Sequence, residues 1–150
     1  GPLTYYWPRE KVLQFYDEVL GLKRWFDAER PYEQATGSRT IFGLEPGETH
    51  WMVDFDDPRS GHSLDERRSG KLKVVRFGKS SRLADKLDRS RPGCLGYSLY
   101  TWRVNDLEGM WKRVQAGGAT NVSDVRTDEF GTRAFSFIAP DGYSWTLLQA

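Results

Sequence analysis

The same order of secondary-structure elements is predicted twice along this chain, and no other feature restricts the fold as strongly. In the first half, β-propensity predicts a strand over residues 3–7. Apolar side chains at helical spacing then predict a helix, which Gly21 ends as a left-handed cap. Three further strands are predicted, over residues 22–28, 38–44 and 49–55.

The second half repeats this order. A strand is predicted over residues 97–104, followed by a helix with Asn105 as N-cap and Glu108 three residues later. Gly117 and Gly118 end that helix. The three strands that complete the half are predicted over residues 120–127, 133–139 and 143–149. We therefore expect an α+β fold in which two βαβββ modules, at about 1–56 and 95–150, form one domain over residues 1–150.

Residues 57–94 interrupt the repeat as a charge-rich insert. The stretch 57–93 carries eleven of the 22 basic residues of the chain against five acidic ones, and an extra strand is predicted near residues 71–77. Phe77 is its only aromatic residue, whereas a nucleic-acid surface would interleave aromatics with basic side chains. We expect the insert, apart from its strand, to be mobile or to lie outside both modules, and we expect no nucleic-acid partner.

Three short motifs carry a resemblance to a known family. They are the helix end FYDEVLGL at residues 15–22, VNDL at 104–107 followed by AGGA at 116–119, and FG at 130–131 with APDGY at 139–143. In this order and spacing they resemble the vicinal oxygen chelate superfamily, which includes glyoxalases, bleomycin resistance proteins and dioxygenases. The resemblance implies a glyoxalase-like fold, in which the modules form a curved mixed sheet around a central cup.

The resemblance also implies where a metal would be bound. Family enzymes hold a divalent metal in the cup through His, Gln or Glu side chains on the first and last strands of each half. The matching positions here carry Leu99, Thr146 and Met52, and the fourth falls at about residue 1. None of these three side chains is a usual ligand for such a site. We therefore predict no metal and no cofactor.

Three functions remain open on the sequence alone. The first is metal-free binding of a small organic molecule, of the resistance or sequestration type, with an aromatic natural product as one candidate ligand. The second is a lyase, isomerase or cyclase-like enzyme without the family metal, in which His50 acts as a general base. The third is a regulatory or partner-binding domain that uses the basic insert.

The candidate site residues follow from these alternatives. His50 is the candidate catalytic residue, and strand alternation places it on the same face as Met52. The same alternation places Trp51 and Trp145 on the opposite faces of their strands, under the helices. The candidate ligand-binding residues are Tyr5, Trp7, Met52, Asp54, Tyr97, Leu99, Thr101, Ser144 and Thr146.

Partners and location are predicted only in outline. The net charge of +1 points to no particular partner, and no run of about 18 apolar residues predicts a membrane span. The single cysteine, Cys94, excludes an internal disulfide framework. We expect a cytoplasmic protein that binds a small organic ligand, does not interact with membranes and, by the family resemblance, forms a homodimer.

Overall fold

A computed structural model describes residues 9–61, 64–66, 70–77, 87–95 and 98–150 of the 150-residue chain. In chain order the elements are α1 (Arg9–Gln14, continued by a π-helical turn over Phe15–Val19), β1 (Lys23–Pro31), α2 (Thr36–Phe42), β2 (Thr49–Asp56), β3 (Leu72–Phe77), β4 (Tyr100–Val104), α3 (Leu107–Ala116), β5 (Arg126–Thr127), β6 (Arg133–Ile138) and β7 (Ser144–Gln149). Short 3-10 turns cover Tyr32–Gln34, Leu64–Glu66 and Leu87–Arg89. These elements confirm the predicted α+β class.

The chain divides into two compact units, each with its own sheet. Unit 1 contains the described residues between 22 and 77, and unit 2 contains residues 9–21 together with the described residues from 87 onward. The sheet of unit 1 has the order β1-β2-β3, and that of unit 2 has the order β4-β7-β6-β5. No helix among the described residues is long and apolar enough to cross a membrane.

The three described strands of the first sheet are antiparallel, with β2 between β1 and β3. β1 pairs with β2 along its length, with an irregularity between Arg24 and Phe26 that is typical of a β-bulge. β3 pairs with the other edge of β2, where His50 lies opposite Phe77 and Met52 opposite Val75. The strand expected near residues 71–77 is therefore confirmed, and it extends the first sheet beyond residue 56.

The strand predicted over residues 38–44 is wrong, because this stretch forms helix α2. Gly43 ends the helix in the left-handed conformation at φ +59°, and its N–H bonds back to carbonyl groups of the last turn. Phe42 and Leu44, which read as strand residues, instead pack against Val75 and Phe77 of β3. The packing of these apolar side chains on β3 outweighs the β-propensity of the segment, so the segment forms a helix.

The presence of helix α2 also changes which strands of the two halves correspond to each other. The family resemblance aligns Met52 and Thr146 as last-strand positions, but β2 is followed by β3 in unit 1, whereas β7 is the last strand of the second half. The strand of the first half that corresponds to β7 is β3, whose residues run from Leu72 to Phe77. The alignment was wrong because the predicted strand over residues 38–44 displaced every later strand by one place.

The second sheet combines a parallel and two antiparallel pairs. β4 runs parallel to β7, while β6 is antiparallel to both β7 and β5. The strand predicted over residues 120–127 is shorter than expected, because only Arg126–Thr127 and an isolated bridge between Thr120 and Ile138 pair with β6. Asn121 interrupts the stretch at φ +51°, a conformation that no regular strand contains.

One face of the second sheet is covered by α1 and α3. Phe135 and Phe137 of β6 and Trp145 and Leu147 of β7 are buried there, with Phe15 of α1 in edge contact with Phe137. Fully burying side chains of this size stabilises a fold by about 1.5–3 kcal/mol each. Trp145 thus lies under a helix, as alternation predicts.

The start of α3 differs in detail from the prediction. Asp106, not Asn105, is the N-cap, and its carboxylate accepts the Gly109 N–H at 2.9 Å. Glu108 does not close a capping box but pairs with Arg133 of β6. Gly117 ends the helix, as predicted.

Candidate functional site

Three of the predicted site residues share one face of β2 in unit 1. His50 lies opposite Phe77, Met52 opposite Val75, and Asp54 two residues further along the same face. Because side chains of residues i and i+2 point to the same side of a strand, this arrangement follows from alternation alone. Helix α2 packs on this face, so its residues surround His50 and Met52.

His50 is fully buried, with 0% of its surface exposed. The rings of Phe42 and Phe77 lie 6.2 and 6.4 Å from the imidazole, centre to centre. Its Nε2 lies 3.2 Å from the Ser38 hydroxyl, while Nδ1 has no hydrogen-bond partner among the described residues. Burial, followed by the positive charge of Arg30, lowers the pKa of His50, so the imidazole is neutral at pH 7.

Met52 and Asp54 have different surroundings on this face. Met52 is half-buried and packs against the apolar cluster of Ala35, Val75 and Phe77. The Asp54 carboxylate is flanked by Lys71 and Lys73, with nitrogen–oxygen distances of 3.3 and 3.5 Å. Both residues therefore have local structural partners that account for their positions.

The remaining predicted residues that the structure describes share one face of the second sheet. Thr101 of β4 lies directly opposite Thr146 of β7, and Ser136 of β6 lies opposite Thr146 on its other side. The Ser136 and Thr146 hydroxyl oxygens are 2.8 Å apart. Ser144 lies two residues before Thr146 on the same face. We call this side, which α1 and α3 do not cover, the open face; Thr101 and Ser136 are exposed on it, and Ser144 and Thr146 are half-buried.

Sequence reasoning missed several residues next to these. Ser136 is paired with Thr146, Arg103 lies two residues after Thr101, and Arg126 is paired with Ala134, two residues before Ser136, so all three project from the open face. Strand alternation alone could have placed Arg103 on this face, since it is two residues after Thr101. The contact of Ser38 with His50 could not be predicted, because residues 38–44 were expected to form a strand. Leu99 precedes β4 and is 45% exposed.

Tyr5, Trp7 and Tyr97 lie outside the described residues. Of the described candidates, His50, Met52 and Asp54 belong to unit 1, while Leu99, Thr101, Ser144 and Thr146 belong to unit 2. The structure thus brings the candidates together as two groups, each on one face of one sheet.

The donor chemistry of the open face does not fit the family metal. Thr101, Ser136 and Thr146 offer neutral hydroxyl groups, whereas the family metal is held by His, Gln or Glu side chains, and protein sites for zinc and similar transition metals use thiolate, imidazole or carboxylate groups. Among the residues that the structure describes, no group of three His, Cys, Asp or Glu side chains could hold a metal ion. What the hydroxyl row can do is donate and accept hydrogen bonds.

Comparisons with known proteins agree on one family. Its family model, for the Glyoxalase/Bleomycin resistance protein/Dioxygenase superfamily, matches residues 9–147. No curated protein matches this chain significantly.

Solved structures resemble the chain over nearly its whole length. A glyoxalase family protein from Bacillus cereus is 21% identical with a TM-score of 0.74, over 99% of this chain and 91% of that one. A glyoxylase/bleomycin resistance protein/dioxygenase domain from Frankia sp. is 16% identical with a TM-score of 0.58, over 99% and 91%. TioX from Micromonospora sp. is 15% identical with a TM-score of 0.56, over 99% and 94%. At these identities the likeness is one of fold, and together with the family match it shows that the chain belongs to the Glyoxalase/Bleomycin resistance protein/Dioxygenase superfamily.

Proposed function

We propose that this protein binds a small organic molecule on the open face of its second sheet without the help of a transition metal. The observation that carries the proposal is the row formed by Thr101, Thr146 and Ser136, whose members lie opposite one another across three neighbouring strands. Binding of the resistance or sequestration type needs such a surface and no reacting group.

The neighbours of the hydroxyl row suit an organic ligand. Ala134 and Leu148 are half-buried on the same face, and Leu99 is exposed before β4. A ligand that covered this apolar surface would gain about 25 cal/mol for each Å² removed from water. Hydroxyl groups beside it would orient the ligand through hydrogen bonds, which is how ligand sites usually combine apolar and polar groups.

The alternative of a metal-free enzyme with His50 as general base has less support. A base must come within hydrogen-bonding distance of the proton that it removes. His50 has no exposed surface, and Phe42, Phe77 and Ser38 occupy its surroundings. The lowered pKa of His50 keeps it neutral, as a base requires, but a buried core histidine shows the same shift.

The proposal can be tested on protein purified from its own cells without chelators. Native mass spectrometry should detect an organic adduct, and metal analysis should find zinc, nickel, manganese and iron well below one per chain. Denaturing the sample should release the adduct. Near-stoichiometric amounts of any of these metals would overturn the proposal.

A further inference from the structure

A row of the open face, next to the hydroxyl row, has an arginine at each edge of the sheet. Arg103 of β4 lies opposite Leu148, Leu148 lies opposite Ala134, and Ala134 lies opposite Arg126 of β5. Directly paired residues project from the same side of a sheet, so these four side chains share the open face. With neighbouring strands about 4.8 Å apart, the Cα atoms of the two arginines are roughly 14 Å apart. Their long side chains can therefore reach one ligand between them.

No ion pair within the described residues neutralises the charges of these two arginines. Both side chains are exposed, and neither guanidinium group forms an ion pair or a hydrogen bond with a residue in the described part of the chain. Arg133 of β6 provides the contrast, because it projects from the opposite face and pairs with Glu108 of α3.

No acidic side chain balances this charge within the open face. Its residues on the four described strands are Thr101, Arg103, Arg126, Ala134, Ser136, Ile138, Ser144, Thr146 and Leu148. Two positive charges beside neutral hydroxyl and apolar groups favour a positive potential over the strands, while the exposed Asp124 and Asp128 lie beyond the ends of β5, two residues from Arg126. Such a potential attracts an anion and disfavours a cationic ligand.

We propose that the ligand of the open face is an organic anion, with an apolar or flat body that covers Ala134 and Leu148 and a carboxylate or phosphate group held by Arg103 and Arg126. The guanidinium group presents a planar set of N–H donors that matches the oxygen atoms of either anion. The hydroxyl row then hydrogen-bonds the neutral part of the molecule. This inference rests on the proposed function and adds the charge class of the ligand.

Two fluorescent probes with a common ring skeleton separate the inference from the proposed function. Anilinonaphthalene sulfonate carries an anionic group, while N-phenylnaphthylamine lacks it. The wild-type chain should bind the sulfonate at least tenfold more tightly at low salt, and added salt should reduce this preference because ions screen exposed charges. Unlabelled naphthoate or naphthyl phosphate should displace the sulfonate, and the better competitor identifies the anionic group.

Variants assign the preference to the two arginines. Arg103→Gln and Arg126→Gln should each weaken sulfonate binding by about fivefold, the size expected of a partly exposed charge contact, and should leave binding of the neutral probe unchanged. Lys112→Gln is the matched control, because Lys112 is an exposed cation on α3, which packs on the other face of the sheet. This control should bind both probes as the wild type does.

The outcomes are distinguishable. If both probes bind equally and the arginine variants change neither, the ligand is not an anion, and the proposed function stands without this inference. Failure of both competitors to displace the sulfonate would also overturn the inference. If neither probe binds to the wild-type chain, the inference and the proposed function fail together.

Discussion

The Tyr16 hydroxyl donates a 2.7 Å hydrogen bond to the carboxylate of Asp141, which lies 125 residues further along the chain. Both side chains are buried, and the bond ties the end of the first helix to the turn between β6 and β7. Tyr16 also lies 5.9 Å from the ring of Trp145, centre to centre. The bond links the two motifs FYDEVLGL and APDGY, whose association in one unit the sequence did not reveal.

We predict that Tyr16→Phe lowers the free energy of unfolding by about 1–3 kcal/mol, because it leaves a buried carboxylate without its hydroxyl donor. Denaturant unfolding at pH 7 measures this. Tyr32→Phe is a control at a half-buried tyrosine in unit 1 and should change stability much less. Equal effects of the two variants would mean that the bond to Asp141 contributes nothing.

Asp141 should also make stability depend on pH. Burial is the main cause that raises the pKa of Asp141 from 3.8 to about 6. Between these values the folded chain holds a proton that the unfolded chain has released, so stability falls as pH rises through this window, by roughly 3 kcal/mol. Asp141→Asn should remove that fall relative to the wild type. Unfolding free energies measured from pH 4 to pH 7 check this, with the exposed Asp88→Asn as a control; parallel curves for wild type and Asp141→Asn would refute it.

Two glycines, one within α2 and one directly after it, test the helix that forms where a strand is predicted. Gly37 lies within the helix with open space around an added Cβ atom, so Gly37→Ala should stabilise the protein by about 0.5–1 kcal/mol. Gly43 has φ +59°, so Gly43→Ala should destabilise it by about 1 kcal/mol. Thermal or urea unfolding of both variants decides the matter. Opposite signs support the helix, whereas destabilisation by Gly37→Ala would contradict it.

His50 should titrate below the usual histidine pKa of 6.5, because burial and the charge of Arg30 lower it. The unfolded chain then binds a proton that the folded chain does not, so stability is lost as pH falls from 6.5 through the folded pKa. NMR titration of the imidazole protons measures this value directly, with His62→Gln to assign the signals of the two histidines. A pKa of 6.5 or higher would contradict the buried position of His50.

Homodimerisation remains a prediction from the family resemblance. Light scattering at high protein concentration should give a mass near twice the 17.3 kDa of the chain. A mass that stays at 17.3 kDa over the whole concentration range would contradict homodimerisation.

Periodicity predicted most elements of the fold but not the path of the first half. Apolar spacing located α1, α3 and most strands because each buries one regular face. It failed at α2, where Phe42 and Leu44 also suit a strand and only their packing on β3 selects the helix. Because a strand was predicted in place of α2, Met52 of β2 was matched to Thr146 of β7, whereas the strand that corresponds to β7 is β3.

The candidate site was predictable only where alternation applies within a strand. Thr101, Ser144 and Thr146 were identified in this way, and the structure places them on one face. Ser136 and Arg126 join them through cross-strand register, which a single sequence does not contain. The Ser38–His50 contact depends on helix α2, so the sequence did not predict it either.

The affinity of the neutral probe N-phenylnaphthylamine for two threonine variants tests the central claim most directly. Thr146 lies on the open face, while Thr127 is exposed on the opposite face of the same sheet, so Thr146→Glu and Thr127→Glu add the same charge on the two sides. Thr146→Val, which keeps the shape, serves if the Glu variant does not fold. If the open face is the ligand site, Thr146→Glu weakens binding by about tenfold or more, since a charge must be desolvated, and Thr127→Glu leaves binding unchanged. Equal affinities for wild type, Thr146→Glu and Thr127→Glu would contradict the claim and place the ligand elsewhere.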